Sequence, residues 1–209
     1  MPVVITGNNT PTAGGITYGD GSTYANTAAG TSGQLLQSNG ASAPTWVAAP
    51  TGGFTLGTPV ASTSGTFIDF LSIPAGVKQI IISFSNVSTN GTSQKLIQIG
   101  DSGGIEITGY SSRSTSIIGT TVAGTGTASG FLIYSILAST ELSGSITLTL
   151  QNATTFTFES TGIFSDYNEG AQFFTSGGKS LSATLDRVRI TTVNGTDTFD
   201  LGEINIAYI

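Results

Sequence analysis

Ser145-Ile146-Thr147-Leu148-Thr149-Leu150-Gln151 alternates without a break, with Ile146, Leu148 and Leu150 on one side and Thr147 and Thr149 on the other. Successive side chains of a strand point to opposite faces, so a period of two marks a strand with one face buried and one in water. A helix would instead repeat its apolar residues every three or four positions. Similar runs lie on both sides of this stretch. Toward the N-terminus they are Gly130–Leu137, Ile105–Tyr110, Lys95–Ile99, Val77–Asn86 with Ile80, Ile82 and Phe84 on one face, and Thr66–Ile73, which Pro74 and Gly76 end. Toward the C-terminus they are Thr155–Ser160 with Phe156 and Phe158 expected inside, Leu181–Leu185, Arg187–Val193 and Glu203–Ile209. In Arg187–Val193 the apolar Val188 and Ile190 oppose Arg187 and Arg189, and in the last run Ile204, Ile206 and Tyr208 share a face. Thr89-Asn90-Gly91 and Asn194-Gly195 supply turns, because Asn and Gly accept positive φ. Roughly nine short strands with turn signals between them and no helix predict an all-β chain. The expected architecture is an antiparallel, jelly-roll-like β-sandwich over residues 53–209 whose last strand completes the sheet. No fixed repeat supports a parallel β-helix.

Composition narrows the function class. Charged residues make up 9% of the 209 residues, against roughly 25% in an average domain. The chain is 38% hydrophobic with 29 glycines, which is too apolar for a disordered segment. Twelve acids against six bases give a net charge of −6, with no cluster of Lys and Arg. Nucleic-acid binding needs such a cluster, so that class is set aside. No basic apolar helix suits a membrane surface, no apolar run approaches ~18 residues, and residues 1–20 lack the pattern of a signal peptide. Synthesis in a cytoplasm without membrane insertion is the expectation. Cysteine and histidine are both absent, so disulfides, thiolate metal sites and a Ser-His-Asp triad are excluded. No enzyme, cofactor or metal is expected.

Residues 1–52 read differently, as an extended Gly/Ser/Thr-rich arm. Their apolar anchors are scattered: Val3, Val4, Ile5, Ile16, Tyr18, Tyr24, Leu35, Leu36, Trp46 and Val47. Such a segment cannot bury enough apolar surface alone to offset ~1–2 kcal/mol of backbone entropy per residue. Other copies of the chain or a larger scaffold would order it; docking on its own domain is the other reading.

Few residues suggest chemistry. Asp166 and Glu169 share a loop, and Asp197, Asp200 and Glu203 flank the last hairpin. Glycosidases use two carboxyls about 5–10 Å apart across a cleft; solvated turn acids are the alternative and the expected reading. Asp101-Ser102-Gly103-Gly104 lacks the further acids of a calcium loop and the Lys of a phosphate loop, and is expected to be a tight connection. Tyr110, Tyr134, Tyr167, Phe173 and Phe174 would stack on sugar rings if exposed, or belong to the core or a subunit interface if not.

Three stretches carry a resemblance, two of them to one domain. Gly30-Thr31-Ser32-Gly33-Gln34-Leu35-Leu36-Gln37-Ser38-Asn39-Gly40, continuing through Ala43-Pro44-Thr45-Trp46, resembles a short segment of tail fibres and related virion proteins of tailed phages. Ser180 to Asp200, with Leu185-Asp186-Arg187-Val188-Arg189-Ile190 and Asn194-Gly195-Thr196-Asp197, is similar to the C-terminal end of a β domain in phage and prophage tail proteins. Phe67 to Tyr110, with Ile73-Pro74-Ala75-Gly76-Val77 and Ile99-Gly100-Asp101-Ser102-Gly103-Gly104, is similar to the start of that domain. The resemblance implies a virion structural protein, usually a homotrimer, with no catalytic residues to carry over. The expectation is a homotrimeric fibre, spike or knob on the virion. Val3, Val4 and Ile5 would attach it to other virion proteins by strand addition, and Leu35, Leu36 and Trp46 would meet around the axis. Tyr110, Tyr167 and Phe173 would contact a host-surface glycan. The alternatives are a capsid decoration protein held by its arm and, last, a glycan-cleaving tailspike.

Overall fold

The computed structural model describes residues 12–49, 52–166 and 168–209. Every element among them is a β-strand. The chain separates into two compact units, Met1–Gly52 and Gly53–Ile209.

The first unit is not a featureless arm. Strands β1 (Thr17–Gly19) and β2 (Tyr24–Asn26) form one antiparallel hairpin, and β3 (Gln34–Asn39) and β4 (Ser42–Ala48) form another. Side-chain hydrogen bonds to local backbone set these turns, which apolar periodicity does not reveal. Asp20 accepts from the amides of Ser22 at 2.8 Å and Thr23 at 2.6 Å, closing the first turn. Asn39 donates to the Ala43 carbonyl at 2.7 Å across the second, where Gly40 takes φ +67°.

In the second unit, the strands are β5 (Thr55–Leu56), β6 (Val60–Ala61), β7 (Ile68–Phe70), β8 (Gln79–Thr89), β9 (Lys95–Asp101), β10 (Gly104–Ile105) and β11 (Tyr110–Ile118). They continue as β12 (Thr121–Thr127), β13 (Phe131–Ile133), β14 (Leu142–Asn152), β15 (Thr157–Asp166), β16 (Ala171–Ser180), β17 (Arg187–Thr192) and β18 (Phe199–Tyr208). The large sheet runs β12-β11-β16-β15-β14-β8-β18, with β5 and β6 both on the far edge of β18. The small sheet runs β9-β17-β7, with β10 and β13 both on the free side of β9. All pairings are antiparallel. Ile68, Ile97, Ile99, Val188 and Ile190 of the small sheet pack against Ile80, Ile82, Ile146, Leu148, Phe164 and Ile204 of the large one, forming a single sandwich core.

A bulge reverses the alternation within β8. Asn86 takes φ +51° opposite Gly202 at φ +90°, where any Cβ would stand 2.4 Å from the Asn86 carbonyl oxygen. Beyond it Val87 and Thr89 face inward, out of step with Ile80, Ile82 and Phe84.

Three strands, β11, β12 and β16, lie largely where no strand was expected. Their buried positions are Tyr110, Ala171, Phe173 and Lys179 together with the hydroxyls of Ser112, Ser114, Ser116 and Thr175. These hydroxyls hold β13 against the inner face of the large sheet. The Leu132 amide donates to Ser112 Oγ at 2.9 Å, the Tyr134 amide donates to Ser114 Oγ at 3.0 Å, and Thr175 Oγ1 donates to the Leu132 carbonyl at 2.6 Å. Gly162 leaves room nearby, since a Cβ there would lie 2.8 Å from Thr175 Cγ2. Two expected strands are absent. Leu181–Leu185 is irregular, although Leu181 and Leu185 still reach the core, and of Ile105–Tyr110 only the two ends belong to strands. Phe156 is also displaced from the expected face: it sits in the turn before β15 at φ +50°, lining an apolar cavity of about 120 Å³ with Val77, Leu150 and Leu185.

Candidate functional site

The expected attachment residues divide. Val3, Val4 and Ile5 lie outside the described residues. Leu35 and Leu36 stand on β3, paired with Val47 and Trp46 of β4, and are 52% and 42% exposed. Trp46 is half-buried; its indole crosses Gly30, where a Cβ would lie 2.6 Å from the ring, and its Nε1 donates to the Ala28 carbonyl at 2.9 Å. Trp46 thus secures the hairpin to its own unit, and the leucines remain open.

Tyr110 and Phe173 are not surface residues. Tyr110 is 4% exposed, with its ring edge-on to Phe131 at 5.1 Å. Its hydroxyl donates to the Glu106 carbonyl at 2.8 Å and accepts from the Ile99 amide at 2.8 Å. Phe173 is 2% exposed, directly across from Phe164 on the inner face of the large sheet. Phe173 was misplaced because β16 was not foreseen as a strand; Tyr110, expected to end the run Ile105–Tyr110, instead opens β11, and alternation along β11 and β16 turns both rings inward. Tyr167 lies outside the described residues.

The acids have structural partners. Asp166 is buried, not a solvated turn acid, and its Oδ1 accepts from the Asn168 amide at 3.0 Å. Burial raises its carboxyl above the ordinary carboxylate range. Glu169 accepts from Ser139 Oγ at 2.7 Å and lines a pocket of about 150 Å³ that Asp166 does not line. Asp197 accepts from the Ser93 amide at 2.9 Å, and Asp200 accepts from the Ser88 hydroxyl, tying the end of β8 and the following loop to the start of β18. Asp101 accepts from the Gly103 amide at 2.8 Å, the tight connection expected there. Among the described residues no group of three or more acidic side chains is placed to hold a metal ion.

Lys95 is the charged group that the sequence reading passed over. It shares a face with Ile97 and Ile99, is 0% exposed, and its Nζ has no hydrogen-bond partner among the described residues. Burial pushes its ammonium down to about 8, opposed by the negative charges of Asp197, Asp200, Asp166 and Glu169. Lys179, also buried, is by contrast paired with Glu106.

One groove combines shape with recognisable chemistry. It lies open on the outer face of the small sheet, spans about 490 Å³, and is floored by Leu96 and Thr191. Because Ile68 and Phe70 face the core, Phe67 and Asp69 face out; because Val188 and Ile190 face the core, Arg189 and Thr191 face out. Register places Arg189 opposite Asp69. Its guanidinium donates from Nε and Nη2 to the two carboxylate oxygens, each at 2.7 Å. The same guanidinium stands 4.1 Å from the centroid of the Phe67 ring, which is 50% exposed. Gln98, held by a 2.8 Å bond to the Ser129 carbonyl, and Asn194 form polar walls, while Ile107 and Val193 form exposed apolar ones. A second groove, on the outer face of the large sheet between Arg113 and Glu159, is open and lined by Ser111, Thr161 and Ser176. No family model matches the chain, and neither does any curated protein or solved structure.

Proposed function

We propose that this chain is a non-enzymatic structural protein of a tailed-phage virion, a homotrimer displayed on the particle and in contact with the host surface. The observation that carries the reading is the β3–β4 hairpin. It is formed by the segment that resembles the phage tail-fibre connector, and it presents Leu35 and Leu36 to solvent. Adjacent strand residues point to opposite faces, so the two leucines place apolar surface on both sides of a ribbon two strands wide. A lone two-stranded ribbon is marginal in water. Copies packed around a common axis would cover both faces at once, at about 25 cal/mol per Å² of apolar surface removed from water.

Light scattering of the purified chain tests the assembly. The expected mass is three times the 21.2 kDa protomer, falling to one protomer when Leu35→Ser and Leu36→Ser are combined. A wild-type monomer at micromolar concentration would refute the trimer. Quantitative peptide mapping of purified particles tests the location. Few copies match a tail appendage, many copies match shell decoration, and none would sink the virion reading.

A further inference from the structure

We propose that the groove on the outer face of the small sheet is a saccharide-binding site for a neutral sugar, with Phe67 as its stacking plate. This rests on the reading of the chain as a surface-contacting virion protein and names what it touches. Three features carry the proposal.

The plate is fixed in advance. Arg189 lies against one face of the Phe67 ring at 4.1 Å, and Asp69 clamps that guanidinium through two 2.7 Å hydrogen bonds. A ring already held loses little freedom on binding. The groove is also electrically closed. Arg189 is its one charged lining residue, and Asp69 already balances it. Such a surface offers no net attraction to an anionic polymer and no unpaired charge to desolvate against a neutral one.

The third feature is the pattern of the walls. A pyranose is amphipathic: its C–H face is apolar and its rim carries hydroxyls that both donate and accept. Phe67, Ile107 and Val193 supply apolar surface. At the rim Gln98 Oε1 and Thr191 Oγ1 can accept from sugar hydroxyls, while Gln98 Nε2, the Thr191 proton and the Asn194 amide are spent on Ser129, Thr66 and the Thr192–Asp197 turn and fix the shape of the wall. The volume of about 490 Å³ falls inside the usual range for small-ligand sites, roughly 300–1,000 Å³.

The test uses the full chain and saturation-transfer NMR against maltohexaose, laminarihexaose, chitohexaose and mannohexaose, with a polygalacturonate fragment as the charged comparison. At least one neutral oligosaccharide should bind. Phe67→Ala should weaken it about tenfold, and Phe67→Trp should retain it. Phe174→Ala, which removes an exposed ring on the opposite sheet, should leave it unchanged. Matching melting temperatures would show that the variants are folded. The proposal is overturned if none of the four binds, if the charged fragment binds in preference, or if Phe67→Ala has no effect. It is equally overturned if Phe67→Ala changes only the oligomeric mass, since the groove would then be an interface between copies. The measurement needs no particle. Absence of the chain from virions would therefore sink the structural role alone, and loss of sugar binding would sink this site alone.

Discussion

Replacing Lys95 with Met should stabilise the protein, and the gain should vanish as pH rises. The ammonium is fully buried without a hydrogen-bond partner among the described residues, and its pKa falls from 10.5 to about 8. At about 1.4 kcal/mol per pH decade, that difference means the charged lysine costs the native state about 3 kcal/mol at neutral pH. Below pH 8 the group is charged in both states, so the full cost is present. Between 8 and 10.5 the native state has lost the proton while the unfolded chain still holds it. The unfolded state then binds more protons, and stability rises with pH. From pH 7 to pH 9.5 the wild type should gain about 2 kcal/mol from this group. The window stops at 9.5 because Tyr110 opposes the trend above it. Burial raises that phenol well beyond its ordinary value of 10, so its contribution to stability is lost as the unfolded tyrosine ionises. Lys95→Met keeps the shape and removes the charge, so its stability should be higher at pH 7 and nearly flat across the window. Urea unfolding followed by circular dichroism at pH 7, 8, 9 and 9.5 measures both curves. A wild-type midpoint that is flat or falling over this range would refute the reasoning, and so would a Met variant less stable than wild type at pH 7.

Other expectations concern the inner face of the large sheet. Ser112→Ala and Ser114→Ala leave the amides of Leu132 in β13 and of Tyr134 just after it without their acceptors, and each should cost about 1–3 kcal/mol, read as a lower urea midpoint at an unchanged slope. Gly162→Val should prevent folding or lower the melting temperature severely, since even a Cβ there meets Thr175 at 2.8 Å and Ile146 at 2.9 Å. Asp166→Asn retains an oxygen for the Asn168 amide and should match or exceed wild-type stability at pH 7. The wild-type carboxyl is raised by burial, so its contribution should grow as pH falls toward its native pKa; calorimetry at pH 7 and pH 5 would show the reverse if the group were a stabilising anion.

The sandwich was legible wherever one face of a strand is hydrocarbon. β14 shows this best: Ile146 and Leu148 are buried and Thr149 is exposed, as alternation requires. β11 was not legible because its inner face meets the backbone of β13, and serine is what a backbone amide needs opposite it. In a sequence that pattern cannot be told from a polar loop. Without β16, Phe173 went to the wrong side of the molecule, and so did Tyr110, because a run Ile105–Tyr110 sets it opposite Ile105 and Ile107 whereas it belongs to β11. The bulge at Asn86 hid in the same way, because a one-residue shift leaves no mark in composition. Lys95 was legible in principle. Alternation through Lys95, Ile97 and Ile99 puts all three on one face, and only the habit of placing lysine outside argues otherwise.

Phe67 follows from the same rule that turns Tyr110 and Phe173 inward. Alternation through Phe67-Ile68-Asp69-Phe70 sends Ile68 and Phe70 inward and leaves Phe67 and Asp69 on the far face. Alternation through Arg187-Val188-Arg189-Ile190 does the same for Arg189. Two facts were beyond the sequence: that β7 and β17 are neighbours, and that their register sets Asp69 opposite Arg189. Those two facts convert an isolated exposed aromatic into a held plate over a neutralised cation. An exposed phenylalanine alone is unremarkable on a protein surface. One braced by an ion pair whose charges are already spent on each other is organised for contact, and that bracing depends on side chains a core does not need. None of Phe67, Asp69 and Arg189 belongs to the buried core. Their presence together on an exterior sparing with charge supports the proposal that this face serves recognition while the inner face serves stability.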